Sequence, residues 1–142
     1  MPAALPPVRP AVRRATVFWR GVATAVARGE RALLVVEDDH HIVGTVQLVL
    51  AQPENQPHRA DVSKMLVRPS ARRAGVGAAL MRGAEDAARA CGKSLLVLDT
   101  ASADAERLDE RLGWQRCGTV PGFALLPRGG LCDTTYFYRL LA

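Results

Sequence analysis

The stretch from Arg59 to Thr100 constrains the fold of this chain more than any other. It holds an apolar run, RADVSKMLV (59–67), then a turn rich in arginine and glycine. An alanine-rich run with helical spacing (75–91) and a second apolar run, SLLVLDT (94–100), follow. The short second run suits a buried, parallel strand. Strand, helix and strand in that order form one β-α-β unit. Within the first strand, alternation sets Val62, Lys64 and Leu66 on one face against Asp61, Ser63, Met65 and Val67 on the other. In the helix, Val76, Ala79, Leu80, Gly83 and Ala87 make the apolar stripe, and Gly92 is a good terminator.

The flanks differ in kind. Residues 11–29 carry apolar positions at helical spacing, with Gly29 as a stop. RALLVVE and HIVGTVQLVLA read as a hairpin about Asp38–His41, and QPENQPH (52–58) reads as a loop. Residues 103–112 read as a short helix ended by Gly113, followed by a strand over 114–120, a long loop over 121–130 and a last strand over 134–141. The expected fold class is therefore α+β: a mixed, mostly antiparallel sheet with one central β-α-β unit. At 142 residues the chain suits one domain, residues 11–142, behind a flexible Pro-rich arm at 1–10.

Composition excludes several classes. No apolar run reaches the roughly 18 residues a membrane helix needs. Cys91, Cys117 and Cys132 are well separated, with no CxxC pair, so neither a disulfide framework nor a zinc site is expected. They read as core filler in a reducing cytoplasm. The net charge of +5 includes basic groups near the N-terminus and at Arg68, Arg72 and Arg73. Such groups favour anionic partners or simply form a solvated face. Aromatic residues are 5% of the chain and no nucleic-acid recognition motif appears, so nucleic acid is not expected as a partner.

The turn RRAGVGAAL has chemical content. A helix start presents unpaired N–H groups and the positive end of the helix dipole, and glycines let an anion approach them. Phosphate or pyrophosphate suits such a place, although a tight strand-to-helix turn without a ligand has the same pattern. A P-loop would need a GK[ST] ending that is absent. A dinucleotide turn would need a third glycine where Leu80 stands. It would also begin nearer the strand, whereas residues 68–74 separate Val67 from Gly75; Asp99 alone has the expected ribose spacing.

Arg72-x-x-Gly75-x-Gly77 resembles the coenzyme A pyrophosphate loop of the GCN5-related N-acetyltransferases (GNAT). The resemblance extends through HRADVSKMLVRPSARRAGVGAALM, KSLLVLDT and AERLDERLGWQRCGTVPGFAL. It covers roughly residues 30–141 and is similar in detail to the tabtoxin-resistance branch. The usual N-terminal strand and helix are largely missing from the pattern.

The resemblance implies acetyl-CoA as cosubstrate, with no metal and no membrane. Two strands, 59–67 and 94–100, would splay apart, often aided by a bulge, and hold the pantetheine arm between them. Met65, Leu66 and Val67 would bind it, the Met65 N–H also stabilising charge on the thioester oxygen. Arg72, Arg73 and the amides of Ala74, Gly75, Val76, Gly77 and Ala78 would hold the pyrophosphate, with Thr100 at the end of the second strand also on the cofactor side. An acceptor alkylamine must shed a proton at a cost of roughly 4 kcal/mol at neutral pH. Asp61, eleven residues before Arg72, matches the family's base position and would act through water.

Asp109 occupies the slot where many members carry a tyrosine acid. Ionised there, it would repel a leaving thiolate. Tyr136, Tyr138 and His58 are further titratable candidates. The expected activity is acetyl transfer to a primary amine of a small molecule. A catalytically degenerate CoA-binding regulatory protein is the alternative, and a homodimer is compatible with either.

Overall fold

The computed structural model describes residues 10–72 and 74–142, with side chains in the first helix from Val17 onward. The arm expected at 1–10 lies outside the described residues except for Pro10, which opens helix α1 (Pro10–Ala27). Strands β1 (Arg31–Asp38) and β2 (His41–Val49) form the expected hairpin. Asp39 and His40, both at positive φ (50° and 64°), close it in the two-residue geometry that follows strand twist. Next come β3 (Arg59–Val67), a single 3₁₀ turn (Pro69–Ala71), α2 (Val76–Ala90), β4 (Leu95–Thr100) and α3 (Ala103–Arg111). A second hairpin, β5 (Gln115–Leu125) and β6 (Leu131–Leu140), ends the chain.

Among the described residues, all six strands lie in one sheet in the order β1-β2-β3-β4-β6-β5. Only the β3–β4 pairing is parallel; the others are antiparallel. The mixed α+β architecture expected from the β-α-β block is the one observed. Helix α2 lies on one face of the sheet. Leu80, Met81, Ala84 and Ala88 bury there against Val46, Leu48, Val62, Leu96 and Phe137. Of the expected stripe, Val76, Leu80 and Ala87 pack on this core and Gly83 meets Leu34, while Ala79 is exposed and Met81, Ala84 and Ala88 widen the buried face. Small residues let helix and sheet approach closely. A Cβ on Gly44 would lie 2.7 Å from Val76 Cγ1, and one on Gly83 would lie 3.1 Å from Leu34 Cδ2. Helix α1 serves the opposite face, where its Val22 is buried and Trp19 adjoins Val43 and Thr45.

Alternation in β3 breaks halfway. Val62 faces Leu48 and Ser63 faces Gln47, but Leu66 faces Thr45, so Lys64 and Met65 together oppose Val46 alone. This is a β-bulge, and Lys64 adopts φ 54° to make it. One extra residue exchanges the two faces. Ala60 and Val62 point to the α2 core before the bulge, and Met65 and Val67 point there after it. Leu66, expected on Val62's face, is instead 57% exposed.

The second hairpin is longer than the sequence suggests. The sequence reads as a loop over residues 121–130, yet Ala124 and Leu125 pair with Cys132 and Leu131. Pro121 and Gly122 are absorbed in a bulge between Val120 and Ala124, which an edge strand tolerates. The cysteines also depart from expectation. Cys91 and Cys117 are exposed, because one caps the end of α2 and the other lies on edge strand β5.

The left-handed conformation of Lys64 costs roughly 1–2 kcal/mol for a non-glycine residue, and more for a β-branched one. Lys64→Val is expected to lower unfolding stability by about 1–2 kcal/mol, while Lys64→Gly is expected to leave it unchanged or raise it. Urea denaturation of both variants checks the pair.

Candidate functional site

The β3–β4 pairing stops almost as soon as it begins. Arg59, Ala60 and Asp61 pair with Leu95, Leu96 and Val97, and no later residue of β3 has a partner in β4. Beyond that point the strands part, and the bulge at Lys64–Met65 lies on the open side of the gap. Met65 has no register partner in β2 or β4. A β3 residue placed so can offer its backbone N–H to a ligand lying in the gap.

Three elements converge beside Met65. A Cβ on Gly77, in the first turn of α2, would lie 3.1 Å from Leu108 Cδ2 of α3 and 3.9 Å from Met65 Sδ. Gly75 is the N-cap of α2 at φ 77°, with open space where a Cβ would stand. Its role is therefore conformational: the left-handed turn aims the chain into the helix. The first amides of α2 have no intrahelical acceptor, as at any helix start. No acidic residue lies in that first turn, so nothing in it opposes a bound anion. Arg68, Arg72 and Ala74 are exposed around it, and Val76, Gly77 and Ala78 are half-buried. Arg73 lies outside the described residues. The Arg68 N–H donates to the Val43 carbonyl at 2.8 Å, which pins the start of the loop to β2.

The residues that the sequence proposes divide between the two faces. Met65 and Val67 face α2, whereas Asp61 and Ser63 face α1. Asp61 lies at the closed end of the gap, its carboxylate ion-paired with Arg59. Gln56 Oε1 in turn accepts from Arg59 Nε at 2.6 Å. Asp61 and Met65 are four positions apart, about 13 Å along an ideal strand. Thr100 Oγ1 accepts from the Ser102 N–H at 3.2 Å, so its hydroxyl serves the turn into α3. Asp99 accepts from Thr134 Oγ1 at 2.9 Å. Tyr136 and Tyr138 neighbour Asp99 and Val97 on the α1 face. His58 is exposed, and its carbonyl accepts from Ser94 at 2.9 Å.

Two features lie beyond what sequence spacing reveals. Leu108 closes against Gly77, which sequence spacing does not reveal because the contact spans two helices. On the α1 face, a groove of about 260 Å³ is lined by Trp19, Val43, Thr45, Leu66 and Arg68. The bulge creates part of its wall by turning Leu66 outward.

Asp109 also departs from expectation. It is only 2% exposed, and burial, reinforced by Glu106 and Glu110, pushes its carboxyl up to about 7. It is not a fixed negative charge near neutrality, because desolvation penalises the ionised form.

The fold is that of the acyl-CoA N-acyltransferases. Residues 5–114 match the Acetyltransferase (GNAT) family, and the chain belongs to that family. Solved structures agree on the fold. A ribosomal-protein-alanine N-acetyltransferase from Brucella melitensis superposes with TM-score 0.78 at 22% identity, over 89% of this chain and 78% of that one. YncA of Salmonella typhimurium, solved with acetyl-CoA as its cofactor, gives 0.74 at 24%, over 87% and 73%. An N-acetyltransferase from Staphylococcus aureus gives 0.74 at 19%, over 89% and 75%.

The Asp109 shift has a defined consequence for stability. The folded state holds this proton up to about pH 7, whereas the unfolded carboxyl releases it near 3.8. The folded state therefore binds more protons in that window, and stability falls as pH rises through it. Asp109→Asn is expected to match the wild type below pH 4. It should become progressively more stable up to pH 7, by as much as roughly 4 kcal/mol. Denaturant midpoints of both proteins across pH 4–8 measure the difference.

Proposed function

We propose that this chain transfers the acetyl group of acetyl-CoA to a primary amine of a small molecule, with residues 11–142 as one catalytic domain. The observation that carries the reading is the opening between β3 and β4 downstream of Asp61 and Val97, with a bulge inside it and a helix start beside it. A pantetheine arm lying there would run as an extra strand against Met65, Leu66 and Val67. The amides from Ala74 to Ala78, with Arg72 and Arg73, would take the pyrophosphate. Within the family, the resemblance over roughly residues 30–141, most specific at 58–100, supports kinship with the tabtoxin-resistance acetyltransferases as part of this reading.

Acetyl-CoA supplies the activated acetyl thioester. The Met65 N–H, freed from the ladder by the bulge, would stabilise the negative charge that develops on the acetyl oxygen. The amine approaches from the α1 face, and Asp61 would accept its proton through water as the new C–N bond forms. The C–S bond breaks, and the thiolate takes up a proton from solvent. A thiol of pKa about 8.5 leaves without strong assistance. Burial pushes the Asp109 carboxyl up to about 7, so it is partly protonated near neutrality, which weakens the like-charge objection to that step.

The shallow groove of about 260 Å³ beside Leu66 lies below the roughly 300 Å³ at which ligand pockets usually begin, which favours a small acceptor over a large one. An alanine N-terminus is a second reading, favoured by the name of the Brucella neighbour.

Gly75→Val and Gly77→Val are expected to weaken acetyl-CoA binding at least about tenfold, read by calorimetry on variants whose thermal melts remain cooperative. Asp61→Asn should keep donor binding and lose most thiol release across a panel of amines and Ala-peptides. Unchanged affinity in the glycine variants defeats the pyrophosphate assignment, and wild-type turnover in Asp61→Asn defeats the base.

A further inference from the structure

Lysine occurs only at positions 64 and 93 of this chain, and the two amines are held differently. Lys93 Nζ donates to the Leu50 and Pro57 carbonyls at 3.0 and 2.9 Å, so it is tied to the loop between β2 and β3. Lys64 is exposed. Among the described residues its Nζ has no acidic partner; it stands 6.0 Å from the centroid of the Phe18 ring on α1. The backbone singles Lys64 out as well. It makes the left-handed turn of the bulge, at φ 54°, where glycine or asparagine is the usual occupant. Strain of this kind clusters where it places a functional group. Here the group is a primary amine. Lys64 immediately precedes Met65, whose N–H the bulge frees from the ladder. Five bonds of about 1.5 Å each let Nζ travel about 6 Å from its Cα, and the four-carbon stem is flexible. The amine can therefore swing from the Phe18 ring to the space in front of that N–H. Its contact with Phe18 sets it on the α1 face, the side from which an acceptor approaches.

We propose that Lys64 is an acceptor built into the chain, which acetylates its own Lys64 Nζ from bound acetyl-CoA within one molecule. This rests on the acetyl-transfer reading above. Nζ gives one proton to solvent and attacks the acetyl carbon. The C–N bond forms, the C–S bond breaks, and a second amine proton leaves to solvent. The CoA thiolate departs with the electron pair of the C–S bond and takes up a proton. Amide formation removes the Lys64 charge and with it the attraction to the Phe18 ring. Tethering supplies the proximity that a free amine must obtain by binding. Lys93, its Nζ occupied by two carbonyls, is the internal control.

Peptide mass mapping of the wild-type chain after incubation with acetyl-CoA reads the transfer. Lys64 is expected to gain one acetyl group at least about tenfold faster than Lys93, at a rate that saturates with acetyl-CoA and does not change with protein concentration. Lys64→Arg, which keeps the charge, should melt cooperatively, bind acetyl-CoA and stay unlabelled. A second readout needs no transfer. After isotope-labelled reductive methylation the two lysines give separate NMR signals, and free CoA should shift that of Lys64 and leave that of Lys93 in place. Equal labelling of both lysines, or a Lys64 rate unchanged in urea, means plain chemical acetylation and overturns the proposal. A rate proportional to protein concentration means transfer between molecules and does the same. So does a Lys64 signal that CoA leaves unmoved while calorimetry shows binding. A chain that binds acetyl-CoA yet leaves Lys64 unlabelled refutes self-acetylation alone and leaves the donor site standing. One that neither binds nor labels refutes both.

Discussion

The bulge at Lys64–Met65 is the constraint on which the rest of the structure depends. By inserting one residue opposite Val46, it exchanges the faces of β3 and leaves Met65 without a ladder partner. It also turns Leu66 outward, into the wall of the α1-face groove. The same strand can therefore contribute Val62 and Met65 to one core while presenting Asp61 and Leu66 to the other side. The cost is a lysine held at φ 54°. Such strain persists only where the surroundings over-determine it. Here β2 fixes both flanks, with Ser63 against Gln47 and Leu66 against Thr45.

Close packing around small residues carries that geometry to the helices. Gly44 lets α2 approach β2 until Val76 and Leu80 are nearly in contact with its backbone. Gly77 does the same for Leu108 of α3. These contacts fix the helix start beside the β3–β4 gap, so the position of its first amides follows from packing. The glycines at 75 and 77 therefore act by different means: one through its backbone conformation, the other through the space it leaves.

Much of this was legible from residues alone, because the strong signals were local. The strand, Arg-Gly turn, helix and strand of 59–100 follow from periodicity and breakers, and all three helices end just before glycines at positive φ, Gly29, Gly92 and Gly113. What was not legible arose from pairing across the chain. The apolar run Met65-Leu66-Val67 fits either face, so sequence alternation could not locate the bulge. Pro121-Gly122 looks like a loop, and only β6 reveals that pairing resumes at Ala124. Asp109 reads as a surface helix residue among Glu106 and Glu110. Its burial comes from the way α3 turns into Trp114, whose N–H donates to the Asp109 carbonyl at 3.0 Å.

The brevity of the β3–β4 contact has a mechanical corollary. The sheet is two three-stranded leaves, β1-β2-β3 and β4-β6-β5, stitched along a spine of three residue pairs. Helix α2 spans that seam, its Glu85 paired with Arg139 on the far leaf. Anything long and hydrogen-bonding that wedges into the open end acts as a keystone, tying both leaves at once and stiffening the angle between them.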